Sequence, residues 1–359
     1  MPRETPVINI AGRRVAEDVP PFVIAEIGIN HGGSIDRALK LVDAAARAGA
    51  HAVKLQTIVA TDLVAPSCPA PAHVDATSMV DFFGQFELTE AAHRAVVERA
   101  RLHGLITMST PFSERAVDML QRVGIDAFKI ASGDVAWDQL IARCAASGKP
   151  LVISTGMATL AEAKHAVEIA RMAGATNVAL LHCVSAYPVP QGSENLLAIQ
   201  TLSAECGVPV GFSDHGADTF AYPLAVALGA ALYERHIALD GDAEAIDAAV
   251  SSTAHQLEAA IADGRRAWGA RGSGQKACLA AEAVNRTASR RSLCAARDLP
   301  AGTVLGPDDF VALRPATGYS PSILFALCGL RLARPVRYGT PIGAEHFEAF
   351  TLLEKDRVA

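Results

Sequence analysis

Two lysines sit inside runs that otherwise read as buried strands: Lys54 in AVKLQT (52–57) and Lys129 in AFKIAS (127–132). An ammonium taken out of water without a partner costs several kcal/mol or loses its proton. Each lysine therefore asks for an anion. Hydroxyls recur near the ends of other strand-like runs, at Thr110, Ser132, Ser154, Ser185 and Ser213. Ammonium groups supply charge-assisted bonds, while hydroxyls and adjacent amides supply direction, so the set suits carboxylate and phosphate oxygens. One lysine alone would suit a Schiff base. Two lysines with hydroxyls suit a small, multiply charged ligand, and Lys54 is expected to face an anionic group brought by the substrate.

His215 in GFSDHG and His236 in YERHIALD come from consecutive strand-like runs. Their imidazoles could converge on one divalent ion whose open positions take substrate and water, as a Lewis-acid site requires. The neighbouring Asp214 and Glu234, and the lack of a third protein ligand, leave the metal open on spacing alone. Glu26 adds a carboxylate at the end of the first run. Glu234 reads either as an orienting group or as an ion-pair partner of Arg235, and His182 as a packing histidine outside the site.

The elements that must bring these residues together are legible as alternation. Apolar runs at 22–28, 51–57, 105–110, 127–132, 151–156, 178–184, 208–214 and 231–239 alternate with helix-period segments such as 34–48, 90–103 and 159–173. Eight such units in about 250 residues predict a (β/α)8 TIM barrel, whose chemistry lies at the carboxyl ends of its strands. A doubly wound open sheet is the rival, but no GxGxxG follows the first run. The Pro- and Ala-rich segment 60–86 predicts a long loop at the barrel mouth, either a surface excursion or a cover over the substrate. Helical periodicity ends near 268. The reading is a catalytic barrel over 1–268, a linker over 269–290 and a small, turn-rich domain over 291–359.

Composition narrows the class. The 359-residue chain is half hydrophobic and carries a net charge of −6, which argues against a nucleic-acid binder. Seven scattered cysteines without a CxxC pair read as free thiols in a reducing compartment. No apolar run approaches the ~18 residues of a membrane span, and the N-terminus lacks a signal core. A soluble cytoplasmic protein without membrane or nucleic-acid partners is expected.

The order of motifs then adds a family. FVIAEIGINHGGS, AHAVKLQT, STPFS, FKIASGD, ISTGMAT, LLHCVSAYPVP, GFSDH and ERHIALD resemble, in sequence, the sialic acid (N-acetylneuraminate) synthases. The tail RRSLCAARDLPAGTVL…LRPATGYSP is similar to their antifreeze-like, β-clip (SAF) domain. The resemblance implies condensation of phosphoenolpyruvate with an open-chain N-acyl hexose, releasing phosphate. It implies phosphoenolpyruvate contacts at Lys54, Lys129, Ser132, Ser154 and Ser213, with Thr110 nearby. A divalent metal (Mn2+, Mg2+ or Co2+) is implied on His215 and His236, with His236 also among the catalytic residues. Glu26, Gln56, Tyr187, Asp247 and Arg314 correspond to sugar-binding and catalytic positions. Arg314 would reach the partner's site in a domain-swapped homodimer, the alternative being a tail domain that covers its own barrel. Asp134 stands one methylene short of the family's glutamate, Ser185 replaces an asparagine of some members, and Tyr319 replaces an apolar residue. All three fall where contact with the sugar is expected. A 3-deoxy-ulosonate phosphate synthase and a non-catalytic sugar-binding protein are the competing readings.

Overall fold

The computed structural model describes residues 5–69, 76–242 and 245–348. Eight strands, β1 (Phe22–Gly28), β2 (Ala52–Thr57), β3 (Ile106–Pro111), β4 (Ala127–Ile130), β5 (Leu151–Ser154), β6 (Val178–His182), β7 (Val210–Asp214) and β8 (Leu232–Ile237), pair in parallel. β8 pairs with both β7 and β1, so the sheet closes into the expected barrel. The helices on its outside are α1 (Ile35–Arg47), α2 (Glu90–Leu102), α3 (Glu114–Val123), α4 (Asp138–Ala145), α5 (Leu160–Met172), α6 (Ala198–Cys206), α7 (Ala221–Ala227) and α8 (Ala254–Arg271).

Ser34, Thr89, Ser113, Thr159 and Thr253 cap their helices by accepting a backbone amide of the first turn. Each such cap stabilises by about 1 kcal/mol. They stop the strand-to-helix loops at defined points and so hold the mouth in shape.

Strand side chains alternate, so one set of each strand faces the helices and the other faces the lumen. Val23, Ala25, Val53, Phe128, Leu180 and Tyr233 join the helices' apolar faces in the outer core. Ile24, Ala52, Met108, Ala127, Val152, Ala179, Leu181 and Leu232 form a second core inside the barrel. Ile8, Ile10 and Val15 of an N-terminal hairpin plug that inner core from below. Gly211 leaves room there, because a Cβ would meet Leu232 at 2.5 Å.

The segment 60–86 contains short helices Ala60–Leu63 and Met79–Gly84; its residues 70–75 lie outside the described residues. Its Phe86 packs with Ile29, Ile58 and Ala60, and its Phe82 meets Phe83 and Phe86 edge-on. The chain divides into two units, Met1–Ser273 and Gly274–Ala359, and α8 runs on to Arg271. The second unit has a helix at Ala283–Ser289, inside the stretch read as linker. It continues with antiparallel strands β9 (Ser292–Ala295) and β10 (Phe310–Leu313). Its own core gathers Leu293, Leu305, Leu327, Leu332, Ile342 and Tyr319. Residues 349–359, assigned to this domain from sequence, lie outside the described residues. No helix among the described residues is long and apolar enough to cross a membrane.

Candidate active site

Two residues beyond the inner apolar layer, the same inward stripe turns polar. Ile24 is followed by Glu26, Ala52 by Lys54 and Gln56, Met108 by Thr110, Ala127 by Lys129, Val152 by Ser154, Gly211 by Ser213, and Leu232 by Glu234 and His236. These side chains line a cavity of about 250 Å³. Ser132, Ser185, Tyr187 and His215, from the loops that follow the strands, complete its wall. The β1–β2 register sets Glu26 level with Lys54 on one side, and barrel closure sets it level with His236 on the other.

Lys54 Nζ lies 2.6 Å from a Glu26 carboxylate oxygen and 3.6 Å from Glu234, and it donates to Thr110 Oγ1 at 3.2 Å. Lys129 donates to Ser154 Oγ at 2.5 Å and stands 3.8 Å from Glu234. Ser213 donates to Glu234 at 3.2 Å. Glu234 is thus the hub shared by both lysines. It faces the lumen, while Arg235 faces outward to Asp214 at 3.4 Å and to Ser252. The ion pair with Arg235 considered from sequence is therefore not the one formed. The period of two from His236 places Glu234 on the lumen face, a signal already present in YERHI. The expectation that Lys54 waits for a substrate anion changes in one respect, since Glu26 and Glu234 already give it carboxylate partners.

The charges do not balance evenly. Burial, opposed by Lys54 and reinforced by Glu234, raises Glu26 to about 7. Glu234 is held below the ordinary range: burial works against this, but the two lysines, His215 and Ser213 outweigh it. Lys54 is raised, the carboxylates outweighing burial, whereas burial lowers Lys129. Near neutrality Glu26 shares a proton, so the cluster carries fewer than two full negative charges beside its two lysines. It is prepared for an anion, and Glu26 is placed to hold or yield a proton.

His215 donates from Nδ1 to Val184 O at 2.9 Å, leaving Nε2 as an acceptor, and its ring packs 4.2 Å from that of Tyr187. His236 lies with its centroid 5.9 Å from that of His215, and Asp247 Oδ2 stands 3.3 Å from its Nδ1. Burial lowers both histidines, so both are neutral bases. Among the described residues no three His, Cys, Asp or Glu side chains form a metal cluster. Two neutral imidazoles beside an open cavity nevertheless fit a divalent ion that draws its other ligands from substrate and water.

Two sequence-chosen residues of the first unit, Asp247 and Asp134, are not part of the cavity lining. Asp247 lies behind His236, and burial raises it to about 6. Burial likewise raises Asp134 to about 6, and its Oδ2 has no hydrogen-bond partner. Arg314 is exposed on the second unit. Tyr319, expected near the sugar, is 6% exposed within the second unit's own core. His182 meets Glu194 O at 2.8 Å, a satisfied packing group as read. Phe112, Ala131, Gly133 and Met157 line the cavity without having been chosen from sequence. Met157 is 75% exposed at a φ of +62°, a backbone state uncommon outside glycine. No described residue of the 60–86 segment lines the cavity.

Comparison with known proteins places this geometry. The NeuB family model matches residues 41–276 and the SAF domain model residues 290–348. The N,N'-diacetyllegionaminic acid synthase of Legionella pneumophila is 34% identical over 337 residues, covering 91% of this chain and 95% of that one. The pseudaminic acid synthase of Campylobacter jejuni is 32% identical over 336 residues, with 92% and 97% covered. The crystal structure of the N-acetylneuraminic acid (sialic acid) synthetase of Leptospira borgpetersenii, in complex with citrate, aligns with a TM-score of 0.73 at 30% identity. It covers 79% of this chain and 96% of that one. With relatives of one kind aligned along nearly its whole length, the chain belongs to the NeuB family of condensing synthases, is an enzyme, and ends in a SAF domain.

Proposed function

We propose that this enzyme condenses phosphoenolpyruvate with an open-chain N-acyl hexose, N-acetylmannosamine or a 6-deoxy analogue, and water. The products are a nine-carbon 2-keto acid sugar and inorganic phosphate. The observation that carries this reading is the pair of buried ammonium groups, Lys54 and Lys129, at the polar end of an otherwise apolar lumen.

Lys54, Lys129, Ser132, Ser154 and Ser213 hold the carboxylate and phosphate of the donor, with Thr110 orienting Lys54. His215 and His236 would hold a divalent ion, Mn2+, Mg2+ or Co2+, which when bound supplies Lewis-acid polarisation of the sugar aldehyde. The C3 carbon of the enol phosphate forms a bond to the aldehyde carbon, whose oxygen takes a proton. Water adds to C2, the C2–O bond to phosphate breaks, and the ketone forms. Glu26, sharing its proton near neutrality, serves the alkoxide or the water. The lysines stabilise the departing phosphate.

Gln56, Tyr187 and Ser185 line the acceptor side, Asp247 and Asp134 act from beyond that lining, and Arg314 is contributed by the partner subunit of a domain-swapped homodimer in the cytoplasm. Support for this part is the correspondence of Gln56, Tyr187, Asp247 and Arg314 to the family's positions; Asp134 and Ser185 stand where the family's residues differ, which is where the choice of sugar would be set. The test is phosphate release from phosphoenolpyruvate across a panel of N-acyl hexoses, with and without Mn2+. Release that depends on an N-acyl hexose supports the reading. Release only with a phosphorylated aldose, or none with any sugar, overturns it.

A further inference from the structure

Asn30, in the loop after β1, is 1% exposed and spends its whole amide on neighbours that surround His236. Its Nδ2 donates to Ile237 O at 2.9 Å and to Ser251 Oγ at 2.9 Å. Its Oδ1 accepts the Asp247 amide at 2.9 Å, and Ser251 Oγ donates to Asp247 O at 2.7 Å. Both backbone polar groups of Asp247 are therefore held by one pair of side chains, the buried Asn30 and the half-buried Ser251. These bonds also fix which end of the Asn30 amide is oxygen and which nitrogen.

The clasp joins segments more than 200 positions apart in sequence, the β1 loop and the chain that follows β8. Gly28 forms its floor. At φ +54°, a Cβ on Gly28 would sit 3.2 Å from His236 Nδ1 and 3.3 Å from Asp247 Oδ2. Space has been left for those two side chains to face each other. The facing atoms are 3.3 Å apart, and His236 Nδ1 is buried with no hydrogen-bond partner, so the Asp247 carboxylate is the polar group placed to take its proton. A proton on Nδ1 would leave Nε2 as the lone pair available to the cavity that His236 lines.

Resting on the proposed function for the role of His236, we infer that Asn30 and Ser251 are positioning residues. They hold the Asp247 carboxylate against His236 Nδ1 and so keep the imidazole in the tautomer that presents Nε2 to a divalent ion. A carboxylate behind a ligating histidine does this in many metal sites, and its loss lowers metal affinity by roughly 10–100-fold. Here the inference concerns the pair that aims the carboxylate.

Two measurements on full-length protein test it. The first records the histidine ring-nitrogen NMR spectrum of uniformly 15N-histidine-labelled protein without metal, with His236 assigned by its loss in His236→Gln. The Nδ1–H tautomer is expected in the wild type, and a mixture or the Nε2–H tautomer in Ser251→Ala and Asn30→Asp. The second titrates Mn2+ alone. Ser251→Ala is expected to lose about tenfold or more in affinity, and Ser251→Thr, which keeps the hydroxyl, to recover most of it. Phosphoenolpyruvate affinity should stay within about twofold, since the lysines lie outside the clasp.

An unchanged His236 tautomer in folded Ser251→Ala overturns the inference, whatever becomes of the metal. Equal losses of Mn2+ and phosphoenolpyruvate affinity also overturn it, because they report a general deformation. A wild type that binds no Mn2+ but shows the expected tautomer shift overturns the metal part of the proposed function and leaves the clasp standing.

Discussion

The lumen of the barrel holds two regions of opposite character on the same strands. Its floor is apolar, from Ile24 and Ala52 round to Leu181 and Leu232, and it is closed by the hairpin. Its mouth, one inward position further along most strands, holds two carboxylates, two ammonium groups, two imidazoles and several hydroxyls. Burial is nearly complete in both: Leu181 is 0% exposed, Lys129 3%. What differs is what burial does. On the floor it removes apolar surface from water and stabilises by about 25 cal/mol per Å². At the mouth it lowers Lys129 and raises Glu26, so the fold holds reactive charge at a cost that the floor offsets.

Substitutions that tell the two regions apart sharpen this contrast, and the largest effect is expected at Lys129. Lys129→Met should lower kcat/KM for phosphoenolpyruvate on the order of 10³-fold. Its thermal midpoint should hold, because the site already disfavours the ammonium. A collapse of the midpoint matching the activity loss would assign Lys129 to the fold instead. Leu181→Ala is the mirror image. Denaturant unfolding should show a loss of about 2–5 kcal/mol, while phosphoenolpyruvate affinity stays near that of the wild type. Weak binding in a folded Leu181→Ala protein would show that floor and mouth are not separable.

Asp134→Asn tests the cost of charge at the rim. The folded Asp134 titrates at about 6 against about 3.9 unfolded, so the folded state binds more protons between those values. The penalty on the wild type is full above pH 6 and gone below about 4. The asparagine variant should gain about 1–2 kcal/mol at pH 8 and nothing at pH 4. A gain that ignores pH would point to packing rather than charge. Asp43→Ala, which breaks the surface pairs with Arg99 at 2.6 Å and His103 at 2.8 Å, should cost less than about 1 kcal/mol. A larger loss would mean that the outer shell of ion pairs supports the barrel more than its exposure suggests.

Much of this was legible beforehand. The strand FVIAEIG was read at 22–28 and forms at Phe22–Gly28; the helix at 90–103 forms at Glu90–Leu102. Period-two spacing put Lys54 and Gln56 on one face, and both line the cavity. Glu234 was read as an orienting group or as the ion-pair partner of Arg235, and only the second of these depends on nearness in sequence. Strand alternation sends the two to opposite faces, so sequence neighbours were the wrong guide. Met157 and Phe112 gave no chemical signal, since an apolar residue at a strand end looks like core until the cavity is seen.

Local chemistry acts over two to four residues, through strand alternation, helix periodicity and Ser or Thr caps, so the sequence by itself determined the eight units, their inward stripes and the polar ends of those stripes. Only the closed barrel decided which lysine meets which carboxylate, that His236 stands beside Glu26, and that Asn30 holds Asp247. Those partners lie tens to hundreds of residues apart. Their meeting depends on strand pairing, β1–β2 for Lys54 and Glu26 and the ring-closing β8–β1 for His236, and no local preference encodes that pairing.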